Sequence, residues 1–158
     1  MDNADHKQLL ISETNNILEK IDRLPLHSKF KLDLYKKYLL PKISWHLTIA
    51  DIDRTWIKQT LGTMCHNKFR TWLDIPPNGT LGILLLDKAK FGFDIIDVST
   101  KFTQCQVVLR NKLKESHCPD TQNLFYATSS KCNLQYDGFS TAKQASKEIR
   151  SNKIFKIE

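Results

Sequence analysis

The chain is poor in loop-forming residues and lacks several motifs that define other protein classes. Its 158 residues include only five glycines and five prolines, which disfavours a loop-rich β-sandwich and favours long helices. The four cysteines form no CxxC pair, so a zinc site is not indicated, and we interpret them as free thiols in a reducing compartment. No window approaches the roughly 20 apolar residues that a membrane span needs, and no signal peptide is recognisable. These absences predict a protein of the cytoplasm or nucleus that has no membrane segment.

Catalytic signatures are missing as well. The sequence contains no YxDD-type turn, no GxxxxGK phosphate loop and no GxSxG elbow. Its one close carboxylate pair, Asp51 and Asp53, falls at a predicted helix start, where carboxylates stabilise the helix dipole. The five histidines show no i, i+4 pairing with a carboxylate that would indicate a metal site. We therefore predict a non-catalytic chain with no cofactor and no metal.

Hydrophobic residues recur at helical spacing along most of the chain. This pattern predicts an all-α fold, a small irregular bundle of about four main helices with a loosely packed C-terminal extension. The first two predicted main helices cover about 5–23 and 29–47. The third is capped by Asp51 or Asp53 and runs to about 73, and the fourth starts at Asp97 or Ser99 and ends before Cys118. We expect residues 1–115 to form one helical domain, 116–139 an irregular linker, and 140–158 a basic C-terminal helix and tail. Large aromatic residues that share the spacing of the predicted core are Phe30, Tyr38, Trp45 and Trp72.

Four single residues carry more local predictions. Ser28 is expected to cap the second helix, and Pro41 to kink it, because proline cannot donate a hydrogen bond to residue 37. Gly92 is expected at a positive φ within a turn. Lys68 falls in the middle of an apolar arc, so its stem either extends past that arc to solvent or meets an anion there.

Positive charge is concentrated in the helical part of the chain. The net charge is +7, and residues 27–73 contribute nine basic and three acidic side chains, a net of +6. A basic helical surface suits a polyanion, and nucleic acid is the commonest intracellular one. The alternative is an ordinary solvated surface.

Several short motifs occur in an order typical of one protein family. Leu39-Leu40-Pro41-Lys42-Ile43 lies in a basic helix, and the next predicted helix ends in Arg70-Thr71-Trp72-Leu73-Asp74-Ile75-Pro76. Gly79-Thr80-Leu81 then leads to Phe91-Gly92-Phe93-Asp94-Ile95. Over about residues 20–110 this order resembles the segment after the palm in reverse transcriptases of non-LTR (LINE-type) retrotransposons. The chain departs from that family where Phe91-Gly92 replaces a Gly-Gly pair, and it has no palm with catalytic aspartates.

The resemblance implies a thumb-like helical bundle that grips an RNA–DNA or DNA duplex by its backbone. It also implies that this chain is a non-polymerising remnant or a fragment of a longer reading frame. The residues that it places at the duplex are Lys36, Lys37, Lys42, Arg54, Lys58, Lys68 and Arg70. Two other interpretations stay open, a helical module that binds an acidic protein partner and a decayed element without a selected function.

Overall fold

A computed structural model describes residues 3–49, 51–90 and 92–129. Within these ranges every regular element is helical, which confirms the all-α class. The eight α-helices are α1 (Asn3–Asp22), α2 (Ser28–Leu34), α3 (Leu40–Ile49), α4 (Arg54–Ile57), α5 (Thr63–Leu73), α6 (Gly82–Leu85), α7 (Val98–Lys114) and α8 (Pro119–Ser129). Two π turns, Tyr35–Leu39 and Lys58–Gly62, join α2 to α3 and α4 to α5, and Lys88–Lys90 is a 3-10 turn. The four predicted main helices therefore correspond to α1, 28–49, 54–73 and α7.

The segments 28–49 and 54–73 form the centre of the bundle. α1 packs on α5, on α3 and on the first π turn, and α7 packs on α3, α4 and the second π turn. The fully buried phenol of Tyr35 meets the ring of Phe69 edge to face at 4.7 Å, and its hydroxyl donates to the Ile96 carbonyl at 2.8 Å. This contact ties both central segments to the chain that leads into α7.

The π turn Tyr35–Leu39 changes the phase of the helix that contains it. Tyr35, Leu39, Ile43 and Leu47 are all fully buried although they are spaced by four residues. At 3.6 residues per turn, twelve residues rotate about 120° beyond three full turns. The wider π turn absorbs much of that rotation, because the Leu40 amide donates to the Tyr35 carbonyl five residues earlier. The irregularity predicted at Pro41 is thus a π turn that ends just before the proline.

Only one of the two apolar rows on the helix 28–49 is buried, which overturns most of the predicted aromatic core. Trp72 is buried, with 7% of its surface exposed, as expected. Phe30, Tyr38 and Trp45 are instead 56%, 48% and 67% exposed. The prediction of these three as core residues was wrong, because they lie off the buried row that runs from Tyr35 to Leu47.

The predicted helix starts are confirmed only in part. Of the two predicted starts of the fourth main helix, Asp97 is the N-cap of α7, and its Oδ1 accepts from the Thr100 amide at 3.0 Å. His27, and not Ser28, is the N-cap of α2, and its Nδ1 accepts from the Lys29 amide at 3.3 Å. The Ser28 hydroxyl donates to the Trp72 carbonyl and so joins α2 to the end of α5. Asp53 stands at the N-cap of α4 without a side-chain capping bond.

Residues 74–97 fold back on themselves between α5 and α7. Arg70 holds the first part of this loop, since its guanidinium donates to the carbonyls of Pro76 and Gly79. The predicted positive φ at Gly92 was wrong, because the positive φ belongs to Asp94, at 53°. Gly92 has a different role: a Cβ there would clash with the Leu86 carbonyl oxygen, so the close approach of two backbones excludes a side chain.

α8 occupies part of the segment that we expected to be irregular. Phe125 is buried against α7, where the guanidinium of Arg110 lies 4.3 Å from the centre of its ring. Through this cation–π contact α8, which is mostly polar, packs on the bundle. The rest of the predicted linker, Cys132 and the predicted helix 141–150 lie outside the described residues.

Candidate nucleic-acid interface

Two neighbouring helical stretches carry basic residues and no acidic ones. The sequence from Tyr35 to Ile49 includes Lys36, Lys37 and Lys42 but neither Asp nor Glu, and the same holds for α7 with its three lysines and Arg110. α3 and α7 pack side by side, and the Gln106 amide on α7 donates to the carbonyls of Leu47 and Thr48 at the end of α3. The two stretches therefore form one surface that has positive charges and no carboxylates of its own.

An open cleft of about 380 Å³ lies between these helices. The residues that α3 contributes are Pro41, Ser44, Trp45 and Thr48. The residues that α7 contributes are Lys101, Gln104, Cys105 and Val108. The cleft thus combines an exposed indole and an aliphatic wall with one ammonium group and one amide.

Lys37 and Lys42 have the geometry expected of phosphate-binding residues. Both are exposed, and in the described part of the chain neither side chain makes an ion pair or a hydrogen bond. The ammonium of Lys42 lies 5.7 Å from the centre of the Tyr38 ring one turn earlier, which biases its position without neutralising its charge. Lys42 follows the lining residue Pro41 directly, and Lys37 lies about one turn before Pro41, so both lie on the helical stretch that forms one wall of the cleft.

Arg54 and Lys58 lie on the other central segment, one helical turn apart. Arg54 is partly buried and Lys58 is exposed, and no side-chain partner occurs for either among the described residues. Neither residue lines the cleft between α3 and α7. They form a second, smaller group of available positive charges.

The remaining three predicted contacts are engaged within the protein. Lys68 pairs with Glu19 at 2.8 Å and with Asp22 at 3.1 Å, so the anion that it meets is the acidic side of α1. Arg70 holds the loop carbonyls described above, and Lys36 donates to the Phe93 carbonyl at 3.5 Å. Binding a phosphate would require Lys68 or Arg70 to release these partners.

The residues predicted to contact a duplex include none from α7. Lys101 nevertheless lines the cleft, and Lys112 is exposed three turns further along the same helix. The signal was present in the sequence, because residues 98–114 contain four basic and no acidic residues. Trp45 was predicted to lie in the core.

The described residues hold no group of three or more His, Cys, Asp or Glu side chains placed to bind a metal. His46 lies 3.8 Å from a Glu13 carboxylate oxygen and meets the His6 ring edge on. Burial, with a smaller contribution from Asp97, raises the pKa of the Cys65 thiol to about 12, which keeps it protonated and unreactive. None of the described helices combines the length and the apolar character needed to cross a bilayer.

Comparisons with protein-family models, curated proteins and solved structures found no match to this chain.

Proposed function

We propose that this chain is a non-catalytic, thumb-like module that binds the phosphate backbone of nucleic acid through the surface of α3 and α7. The observation that carries the proposal is the pair of adjacent helical stretches with lysines and without carboxylates. An ordinary solvated surface mixes both signs of charge, whereas a surface of one sign attracts a polyanion. The order of motifs that resembles the post-palm region of LINE-type reverse transcriptases supports the same ligand.

Four lysines are the best candidates for phosphate contact. Lys37 and Lys42 are exposed on the helical stretch that forms one wall of the cleft, and Lys101 and Lys112 lie along the helix that forms the other. Contacts of this type fix a protein on the backbone and carry no sequence information. The expected affinity is that of non-specific binding, a Kd on the order of 10⁻⁴–10⁻⁶ M at physiological salt.

The test is fluorescence-anisotropy binding to a labelled RNA–DNA hybrid over a salt series. If four lysines each neutralise one phosphate, the logarithm of the association constant falls with a slope of about −3 to −4 against the logarithm of salt concentration. The double variant Lys37→Glu, Lys42→Glu should weaken binding at least about tenfold and reduce the slope by roughly 2. Binding that does not change with salt would rule the proposal out.

The matched control reverses two charges elsewhere. Lys20 and Arg23 are exposed at the end of α1, and neither lines the cleft. The variant Lys20→Glu, Arg23→Glu makes the same change in net charge and should retain most of the affinity. If both double variants lose affinity equally, only the net charge matters and the assigned surface is wrong.

The exposed Phe30, Tyr38, Trp45 and Ile49 favour a second candidate, a helical module that binds an acidic protein partner. A partner held mainly by apolar contacts would resist salt. An interaction that survives high salt and is not displaced by the hybrid would therefore favour this second candidate.

A further inference from the structure

We propose that the cleft between α3 and α7 binds an unpaired base of single-stranded nucleic acid, which stacks on Trp45 while Lys42 and Lys101 hold the flanking phosphates. This inference rests on the proposed function and refines it, because it names the form of nucleic acid that the surface prefers.

Trp45 is the most exposed aromatic side chain of the bundle helices α1–α7, with 67% of its surface open, and it forms one wall of the cleft. A large aromatic surface left open to water carries a free-energy cost that a stacked base would remove. Base stacking on aromatic side chains is the usual way in which proteins hold single strands, because every base has a π face. In a duplex those faces are already covered by neighbouring bases.

The cleft has the dimensions and the polar groups that a base requires. Its volume of about 380 Å³ lies at the lower end of the range of small-molecule sites, roughly 300–1,000 Å³. Gln104 lines it and makes no side-chain hydrogen bond among the described residues, so its amide can both donate and accept at a base edge. Val108 and Pro41 supply apolar contact on either side.

The charge around the cleft favours a polyanion over an apolar peptide. Lys101 lines it, Lys42 directly follows the lining residue Pro41 on the opposite wall, and neither helix carries a carboxylate. A strand whose base enters the cleft would place its sugar–phosphate backbone along the rim, where these two ammonium groups are available. An acidic peptide without aromatic side chains could meet the ammonium groups but would leave the face of the indole open to water.

The experiment compares three labelled probes of about 12 nucleotides: single-stranded oligo-dT, an abasic strand of equal charge, and a duplex. The full chain should bind oligo-dT about tenfold or more tightly than the abasic strand, because only the former can stack. Trp45→Ala should lose that difference and leave the duplex Kd and the salt slope within about twofold. Trp45→Phe should keep most of the preference, because it retains an aromatic face.

Tyr126→Ala is the matched control, since Tyr126 on α8 is equally exposed at 67% and does not line the cleft. It should leave all three affinities unchanged. If Trp45→Ala binds oligo-dT as the unaltered chain does, or loses affinity equally for oligo-dT and abasic strands, this inference fails while salt-dependent binding can still stand. If no probe binds at low salt, the proposed function itself fails.

Discussion

The indole nitrogen of Trp72 donates a 2.8 Å hydrogen bond to Oδ1 of Asp22, fifty residues earlier in the chain. Oδ2 of the same carboxylate accepts from Lys68 at 3.1 Å, and the Asp22 carbonyl accepts from Lys31 at 2.9 Å. One residue at the end of α1 therefore joins α2 and α5. The pKa of the Asp22 carboxyl lies below its ordinary value. The main cause is the hydrogen bond from Trp72, and the next is the hydrogen bond from Lys68.

Replacing Asp22 should destabilise the fold in a pH-dependent way. Because the folded-state pKa is lowered, the carboxylate stabilises the protein above the unfolded pKa of about 3.9, and this contribution disappears as pH falls through the folded value. Asp22→Ala should cost about 1–2 kcal/mol at pH 7, and Asp22→Asn less, because the amide can still accept from Trp72. Urea unfolding at a series of pH values from 7 down to 3 measures the free energy of unfolding of both variants. An equal loss at every pH would contradict the assigned role of the charge.

Two glycine substitutions should have opposite effects on stability. Gly62 lies in the second π turn, and a Cβ there would meet the Ile57 carbonyl oxygen at an ordinary 3.7 Å. Gly62→Ala should therefore raise the free energy of unfolding by about 0.5–1 kcal/mol, since alanine loses less backbone entropy. Gly92→Ala should lower it by about 2–3 kcal/mol, because the Leu86 carbonyl would have to move. Thermal unfolding of both variants gives the signs, and a stabilised Gly92→Ala would contradict the close approach.

The cysteines should differ sharply in reactivity. Hydrogen bonds from the start of α8, first from the Thr121 amide, lower the pKa of the exposed Cys118 thiol, whereas burial raises that of Cys65 to about 12. In a Cys132→Ser background at pH 7, a thiol reagent should label Cys118 in the folded protein and Cys65 only after denaturation. Adding Cys118→Ser should abolish this labelling of the folded protein. Rapid labelling that persists in this variant would show that a cysteine described as buried is accessible.

The Tyr35 phenol should not ionise during an alkaline titration while the protein is folded. Its full burial, with smaller contributions from Cys65 and Asp97, raises the pKa of the phenol well above 10. Tyr35→Phe should leave the tyrosinate absorbance unchanged up to the pH of unfolding. The same substitution removes the bond to the Ile96 carbonyl and should cost about 1 kcal/mol. Tyr38→Phe is the control: it should have little effect on stability, since Tyr38 is half exposed.

The sequence predicted the helices well and the exposure of their aromatic residues poorly. Helix bounds follow from stripes such as Val98, Phe102 and Cys105, whose period is local and strong. Trp45 was misplaced because it lies opposite Ile43 and Leu47 on the helix, and only their side of the helix is buried. α8 was missed because its amphipathic pattern is weak and its anchor, Phe125, depends on Arg110 of another helix.

The candidate site was predicted in part. The pool of lysines and arginines included Lys37 and Lys42, which are exposed at the cleft, because charge density can be counted along a sequence. The intramolecular partners of Lys68 lie 46 and 49 residues away, and no local pattern identifies them. For the same reason Lys101 could not be placed beside Trp45 until the packing of α7 on α3 was known.

The π turn at Tyr35–Leu39 makes this helix unusually tolerant of a one-residue deletion. Removing one residue from the turn would let it close as regular α-helix, and the eleven residues that remain up to Leu47 rotate only about 20° beyond three full turns. Ile43 and Leu47 would then stay in line with Tyr35, and Trp45 would stay at the cleft. A natural or engineered deletion there should therefore be less damaging than one in a regular stretch of the same helix, where all later residues would rotate by about 100°. The helix can change its length at this turn without changing which side chains the bundle presents to a ligand.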